Sequence, residues 1–235
     1  MRDMDRTQEK DPLYVGRLFP VIRGVIRFLV KILTRLDVKG LENVPERGPY
    51  IMVVNHLHWL DSPMIFSVMP HPGRVFAGEK WEKRFFIGWL LKSVNAIFVK
   101  RGEVDRKALR EALATIEAGG VLGMAPEGTR SKTGGLQRGR SGAAYLAFHS
   151  GAKLVPTVST GQERVVSSLL HLRRARVHVV FGPAFDPPTV SGKVTTAQLE
   201  SFTEEIMWRL AALLPREYRG VYADAPEVKN YEQGA

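Results

Sequence analysis

Short apolar runs alternate with longer stretches of helical periodicity along most of this chain of 235 residues. The run at residues 50–55 follows turn-forming Pro and Gly residues and is typical of a buried strand. The stretch at residues 105–118 places apolar side chains on one face of a helix and ends at a pair of glycines. Because strands that alternate with helices favour parallel pairing, we predict a single α/β domain with a largely parallel mixed sheet flanked by helices.

The predicted elements divide the chain into three parts. Residues 1–36 form an N-terminal arm and an amphipathic helix, residues 37–220 form the α/β domain, and residues 221–235 form a polar C-terminal tail. The last long helix begins at Thr195, which has the spacing of a capping box with Gln198. The predicted strands are 36–44, 50–55, 74–77, 96–100, 121–125, 153–159 and 176–181, and the predicted helices are 13–36, 62–69, 84–94, 105–118, 142–150 and 195–214.

The first of these helices, residues 13–36, combines apolar residues with a basic stripe. A cation about every three residues makes a membrane span costly, whereas an apolar face opposite a basic face suits a helix that lies among lipid headgroups. The alternative is a helix that buries its apolar face on its own domain. We predict a membrane-interface helix, and a peripheral or monotopic protein on the cytoplasmic face of a membrane. The basic stripe consists of residues four apart: Arg23, Arg27, Lys31 and Arg35.

The charge of the chain indicates an anionic partner. Its 34 Lys and Arg residues exceed its 24 Asp and Glu residues, which gives a net charge of +10. Nucleic acid, acidic lipid and phosphorylated substrates all fit such a surplus. No nucleic-acid reader motif is present, so we predict an anionic membrane surface and no nucleic acid. The chain has no Cys, which excludes a thiol nucleophile and a disulfide framework.

The first candidate site follows the predicted strand at residues 50–55. His56 is a candidate general base, and Asp61 can fix its tautomer. On one helix the two side chains would point about 140° apart, so we expect a bend between them. The alternative is a hydrogen-bonded loop histidine. His58 gives a His-x-His pair, but Leu60 stands where zinc hydrolases of the metallo-β-lactamase type need Asp, so we predict no metal.

The second candidate site follows the predicted strand at residues 121–125. Arg130 offers a planar fork for phosphate, and Gly128 permits backbone conformations that other residues resist. Further cations, Arg138 and Arg140, precede a predicted helix whose free amide groups favour an anion. The alternative is a solvated loop.

Together these two segments resemble the glycerophosphate and lysophospholipid acyltransferase family, most of all its 1-acylglycerol-3-phosphate acyltransferases. That family carries Asn-His-x4-Asp followed by a Glu-Gly-Thr-Arg-Ser block, as at residues 55–61 and 127–131 here. Residues 98–101 are similar to its aromatic-x-x-Arg segment, and residues 155–158 resemble its Val-Pro-Val block. The resemblance covers residues 36–185.

The resemblance implies transfer of a fatty acyl group from acyl-CoA or acyl carrier protein to a hydroxyl of 1-acylglycerol 3-phosphate (lysophosphatidate), without a cofactor. Glycerol 3-phosphate or another lysophospholipid is an alternative acceptor, and a non-catalytic lipid-binding protein is the alternative of another class. His56 would be the general base, and Asp61 would orient it.

The resemblance also implies which residues bind the acceptor. Arg130 would hold the phosphate with help from Arg101. We expect Glu127 to position Arg130 or accept a hydrogen bond from a glycerol hydroxyl; the alternative is that it caps the loop. The residues implied for the acceptor site are Arg101, Glu127, Gly128, Thr129 and Arg130.

Overall fold

The computed structural model describes Leu13, residues 18–100 and residues 105–234. Seven strands form one sheet in the order β1-β7-β6-β2-β5-β3-β4. Only β6 and β7 pair in an antiparallel way, and every other neighbouring pair is parallel. The strands are β1 (Thr34–Lys39), β2 (Tyr50–Val54), β3 (Gly73–Gly78), β4 (Ile97–Val99), β5 (Val121–Met124), β6 (Lys153–Thr160) and β7 (Ala175–Phe181).

Helices cover both faces of this sheet, which confirms the predicted fold. Along β2, Ile51 and Val53 belong to a core shared with α4, α5 and α7, while Tyr50 and Met52 belong to a core on the other face. This alternation is the period of two expected for a strand that is buried on both faces. The helices are α1 (Phe19–Leu33), α2 (Asp61–Val68), α3 (Phe85–Ser93), α4 (Arg106–Glu117), α5 (Gly142–Ser150), α6 (Val165–Leu170) and α7 (Thr196–Ala212).

Helix α1 ends earlier than predicted, and its basic stripe is incomplete; residues 14–17 of the predicted helix lie outside the described part of the chain. The helix ends at Leu33, so Arg35 lies on strand β1. The guanidinium of Arg23 turns inward and donates to the carbonyl of Met69. Phe19 and Val30 are buried against the domain. Among the residues that the structure describes, no helix is both long enough and apolar enough to cross a bilayer.

A second apolar stripe of α1 faces away from the domain. One apolar stripe of helix α1 therefore packs on the domain, and another is exposed. The exposed apolar side chains of this helix are Val21, Val25, Phe28, Leu29 and Ile32.

The segment after residue 220 also packs on the domain. Residues Gly220–Tyr222 and Pro226–Gly234 form 3₁₀ turns. Tyr222 and Val228 are buried in the core that contains α5 and α7. Burial and the surrounding side chains raise the pKa of the Tyr222 hydroxyl to about 12, with desolvation as the largest cause. Residues 1–12 of the predicted N-terminal arm lie outside the described part of the chain.

Candidate active site

Three loops meet at one edge of the sheet. Strands β2, β5 and β6 are parallel neighbours, so their carboxyl ends lie side by side. The loop after β2 carries the first predicted site, the loop after β5 carries the second, and β6 ends beside the first. In open α/β sheets, ligands bind at this edge.

The His56 imidazole and the Asp61 carboxylate form a hydrogen-bonded pair. His56 Nδ1 lies 3.0 Å from Asp61 Oδ2, and the same oxygen accepts a hydrogen bond of 2.8 Å from the backbone N–H of His58. Asp61 is only 1% exposed and is the first residue of α2, where the helix dipole favours a negative charge. The chain bends between the two residues as predicted. His56 can therefore act as a base through Nε2 while Asp61 holds Nδ1.

The other oxygen of Asp61 is held by a residue that the sequence did not predict. Gln162 is fully buried, and its side-chain amide donates a hydrogen bond of 2.6 Å to Asp61 Oδ1. Its own oxygen accepts a hydrogen bond of 3.0 Å from the hydroxyl of Ser159. Asn55 ties the loop after β2 to β6 through two hydrogen bonds with the Ser159 backbone. The sequence offered one indication of Gln162 as a site residue: it follows a predicted strand that ends at this edge.

Glu127 joins the two motif loops. It is 2% exposed, and its Oε1 accepts a hydrogen bond of 2.7 Å from the backbone N–H of His56. Its Oε2 accepts a hydrogen bond of 2.9 Å from the backbone N–H of Gln137. Burial raises the pKa of the Glu127 carboxyl, although these hydrogen bonds oppose the shift. These two hydrogen bonds are those expected of a loop cap, and within the described residues neither oxygen of Glu127 is paired with Arg130.

The structure places the basic residues at this edge in different surroundings. Arg130 is exposed and is not among the described residues that line the cavity beside His56. Arg140 is exposed as well, but it lines that cavity, and its backbone N–H donates a hydrogen bond of 2.8 Å to the carbonyl of Pro126. Arg101 lies outside the described residues. The sequence singled out Arg140 only as one of several basic residues before a helix.

The other two residues of the predicted acceptor site lie beside Arg140 and Gln137. Gly128 has a φ of +69° and lines the cavity; a Cβ at this position would lie 3.0 Å from Arg140 Cδ. Glycine therefore allows both the backbone turn and the close approach of Arg140. Thr129 is half-buried, and its carbonyl accepts a hydrogen bond of 3.3 Å from the side-chain amide of Gln137.

A cavity of about 1070 Å³ begins at His56 and Asp61 and extends between the sheet and helices α1 to α4. Cationic side chains line it at the carboxyl edge of the sheet, and apolar side chains line it elsewhere. This division suits a molecule with an anionic head and an apolar tail. Within the described residues, no three His, Asp or Glu side chains converge as a metal site requires. The cationic lining residues are Lys100, Arg106, Arg110 and Arg140, and the apolar lining residues include Ile22, Ile26, Met52, Phe66, Val75, Leu90 and Leu91.

Comparisons with known proteins identify similar chains. A model of the family described as Acyltransferase matches residues 35–160. The 1-acyl-sn-glycerol-3-phosphate acyltransferase of Saccharomyces cerevisiae is 33% identical over 152 residues, which are 59% of this chain and 48% of that protein. The lyso-ornithine lipid O-acyltransferase of Pseudomonas aeruginosa is 27% identical over 113 residues, which are 47% of this chain and 42% of that protein. The chain spans about half the length of the curated relatives it matches.

A solved structure has the same fold. The crystal structure of PlsC, the 1-acyl-sn-glycerophosphate acyltransferase from Thermotoga maritima, matches with a TM-score of 0.60 and 24% sequence identity. The match covers 88% of this chain and 80% of that one. The family match at residues 35–160 includes both motif loops, from His56 to Arg140.

Proposed function

Because this chain belongs to the Acyltransferase family, we propose that it is an O-acyltransferase that converts 1-acylglycerol 3-phosphate to phosphatidate. The acyl donor is a thioester, either acyl-CoA or acyl carrier protein. The observation that carries the proposal is the His56–Asp61 pair at the wall of a cavity with an apolar interior and a cationic edge. The names of the yeast and Thermotoga relatives support the choice of acceptor.

In the proposed reaction, His56 is the general base. Its Nε2 takes the proton from the acceptor hydroxyl while the hydroxyl oxygen attacks the thioester carbonyl carbon. The tetrahedral intermediate then collapses, the carbon–sulfur bond breaks, and the leaving sulfur receives the proton from His56. Asp61 keeps the imidazole in the required tautomer and stabilises its cation, as the carboxylate of a serine triad does. General base catalysis of this kind contributes about 10²–10⁴-fold.

The acceptor phosphate would lie among the cations at the carboxyl edge. Arg140 lines the cavity there, and the family motif adds Arg130 and Arg101. Gly128 and Thr129 shape the same loop, and Glu127 acts on the acceptor only indirectly by holding that loop against His56. The apolar interior of the cavity would receive an acyl chain.

We also propose that helix α1 attaches the protein to a membrane. Its outer apolar stripe is exposed, and Arg27 and Lys31 on the same helix are exposed as well. A helix of this kind lies in the headgroup layer, where each cation near anionic lipid contributes about 1 kcal/mol. The protein would then be peripheral or monotopic, on the cytoplasmic face where thioester donors are available.

A panel of acceptors tests the proposed function. Purified protein is given one labelled acyl-CoA, or the matching acyl carrier protein, together with lysophosphatidate, glycerol 3-phosphate, another lysophospholipid or lyso-ornithine lipid. Mass spectrometry of the products should show phosphatidate from lysophosphatidate as the fastest reaction. Faster acylation of another acceptor would correct the substrate, and vesicle binding without any acyl transfer would favour a non-catalytic lipid-binding protein.

A further inference from the structure

Helix α6 and the loop that follows it expose a group of apolar side chains that the acyl-transfer site does not use. Val166 is 51% exposed, Leu170 is 80% exposed and Leu172 is 98% exposed. The inner side of the same helix is ordinary core, because Val165 and Leu169 pack with Val30 of α1. The outer side chains therefore have no packing role within the described fold.

Leu172 occupies a backbone position that usually belongs to glycine. Its φ is +54°, and the hydrogen bonds around it close a Schellman motif at the end of α6: Leu172 N–H to Leu169 O, and Arg173 N–H to Ser168 O. Glycine is common at this position because a left-handed backbone strains other residues. The backbone strain at Leu172 is not offset by burial of its side chain, because that side chain is almost fully exposed. We therefore expect the side chain to be buried by an apolar environment outside the chain.

The topology places this segment at the edge of the sheet that holds His56. Strand β6 ends at that edge, and its antiparallel partner β7 begins there, so the connection between them lies at the same edge. The Arg174 guanidinium donates to the backbone carbonyls of Lys31 and Thr34, which ties the connection to the end of α1. Trp59 and Phe85, on two other connections that follow β2 and β3, are also exposed.

The positive charge of the segment that follows Glu163 favours an anionic partner. No Asp or Glu occurs from residue 164 to residue 178. Glu163, just before this stretch, accepts a hydrogen bond from the hydroxyl of Tyr218 and pairs with Arg164. Exposed leucines surrounded by arginines match a bilayer with anionic headgroups, since both parts of that surface are complementary to the segment. The cations around the leucines are Arg164, Arg173, Arg174 and Arg176, all of them exposed.

We infer that residues 164–174 form a second membrane contact, in which Leu170 and Leu172 enter the headgroup layer and Arg173 binds anionic lipid. This contact is separate from the outer stripe of α1 and does not depend on the proposed acyl transfer. Two attachment points at one edge would hold the cavity entrance against the bilayer.

A single-cysteine experiment tests the location of the contact. The chain has no Cys, so Leu172→Cys carries one environment-sensitive fluorophore at a defined place. Its emission should shift to the blue when vesicles of equal parts phosphatidylglycerol and phosphatidylcholine are added. Leu41→Cys is the matched control: Leu41 is exposed too, but it follows β1 at the end of the β1–β7 pair opposite to Leu172. An unshifted emission at residue 172 would overturn the inference.

A second variant measures the strength of the contact. Leu172→Gly removes the apolar side chain and relieves the left-handed backbone, so folding should be preserved. Its partition coefficient onto the same vesicles should fall about tenfold, the value of one buried leucine. Arg173→Gln should lower it about fivefold on anionic vesicles and leave binding to pure phosphatidylcholine unchanged. If Leu172→Gly instead converts a dimer to a monomer without altering vesicle binding, a second copy of the chain covers this surface and the inference is wrong.

Discussion

The loops after β2 and β5 lie at the same edge of the sheet, but they present their motif residues in different ways. In the loop after β2, both His56 and Asp61 line the cavity. In the loop after β5, Glu127 is buried, Arg130 and Arg140 are both exposed, and of these two arginines it is Arg140 that lines the cavity. A motif therefore identifies the loop more reliably than it identifies which side chain lines the cavity.

The two loops differ because different hydrogen bonds fix their conformations. The loop after β2 is short and runs directly into α2, so the backbone N–H of His58 and the side chain of Gln162 hold Asp61 beside His56. The loop after β5 is longer and needs an internal support. Glu127 supplies it by accepting hydrogen bonds from the backbone N–H groups of His56 and Gln137.

The largest effect is expected at the loop after β2. His56→Ala should lower kcat by about 10²–10⁴-fold, because the acceptor hydroxyl loses its base. Acyl transfer to lysophosphatidate measures this effect. His58→Ala is the matched control, since His58 is on the same loop but is not among the described residues that line the cavity, and its kcat should stay close to that of the unmodified protein. Equal losses in the two variants would remove His56 from the role of base.

The next largest effect is expected from the loop after β5, where Arg140 and Arg130 should differ in how much their removal lowers kcat/KM. Arg140→Ala should lower kcat/KM for lysophosphatidate roughly ten- to hundredfold, as expected when one hydrogen bond to a charged group is lost. Arg130→Ala should have a smaller effect, because its side chain lies outside the cavity wall. Steady-state kinetics with varied acceptor concentration compares the two variants. A larger loss for Arg130→Ala would mean that the motif arginine, not Arg140, contacts the phosphate.

The smallest effect is expected on stability, when the hydrogen bonds by which Glu127 joins the loops after β2 and β5 are weakened. Glu127→Gln keeps the shape of the side chain but turns one acceptor into a donor that faces an N–H group. The free energy of unfolding should fall by about 1–3 kcal/mol, the cost of an unsatisfied buried group. Urea unfolding followed by circular dichroism measures the change.

Glu82→Gln is the control for that variant. Glu82 forms a partly exposed ion pair with Lys92 at 3.4 Å, and such pairs contribute about 0–1 kcal/mol. If Glu127→Gln and Glu82→Gln lower the free energy of unfolding by the same amount, the hydrogen bonds of Glu127 do not stabilise the two loops.

Local sequence patterns predicted several elements closely. Helix α5 covers the residues predicted for it, and Thr195 and Gln198 form the predicted capping box. Strand β1 begins at Thr34, earlier than predicted, and it ends at Lys39 because Gly40 takes a left-handed backbone and starts a 3₁₀ turn. Helix α6 was not predicted, since a six-residue helix is too short for its periodicity to be distinctive.

By itself, the sequence determined the α/β class, the two loops that meet at the candidate site, and the partnership of His56 with Asp61. Each of these follows from neighbours along the chain, where spacing and backbone preference act directly. Only the tertiary structure decided that Gln162 holds Asp61, that Glu127 supports the loops, and that Arg140 lines the cavity. Those contacts join different strands, and the strand order that brings them together depends on packing across the whole sheet rather than on any local segment.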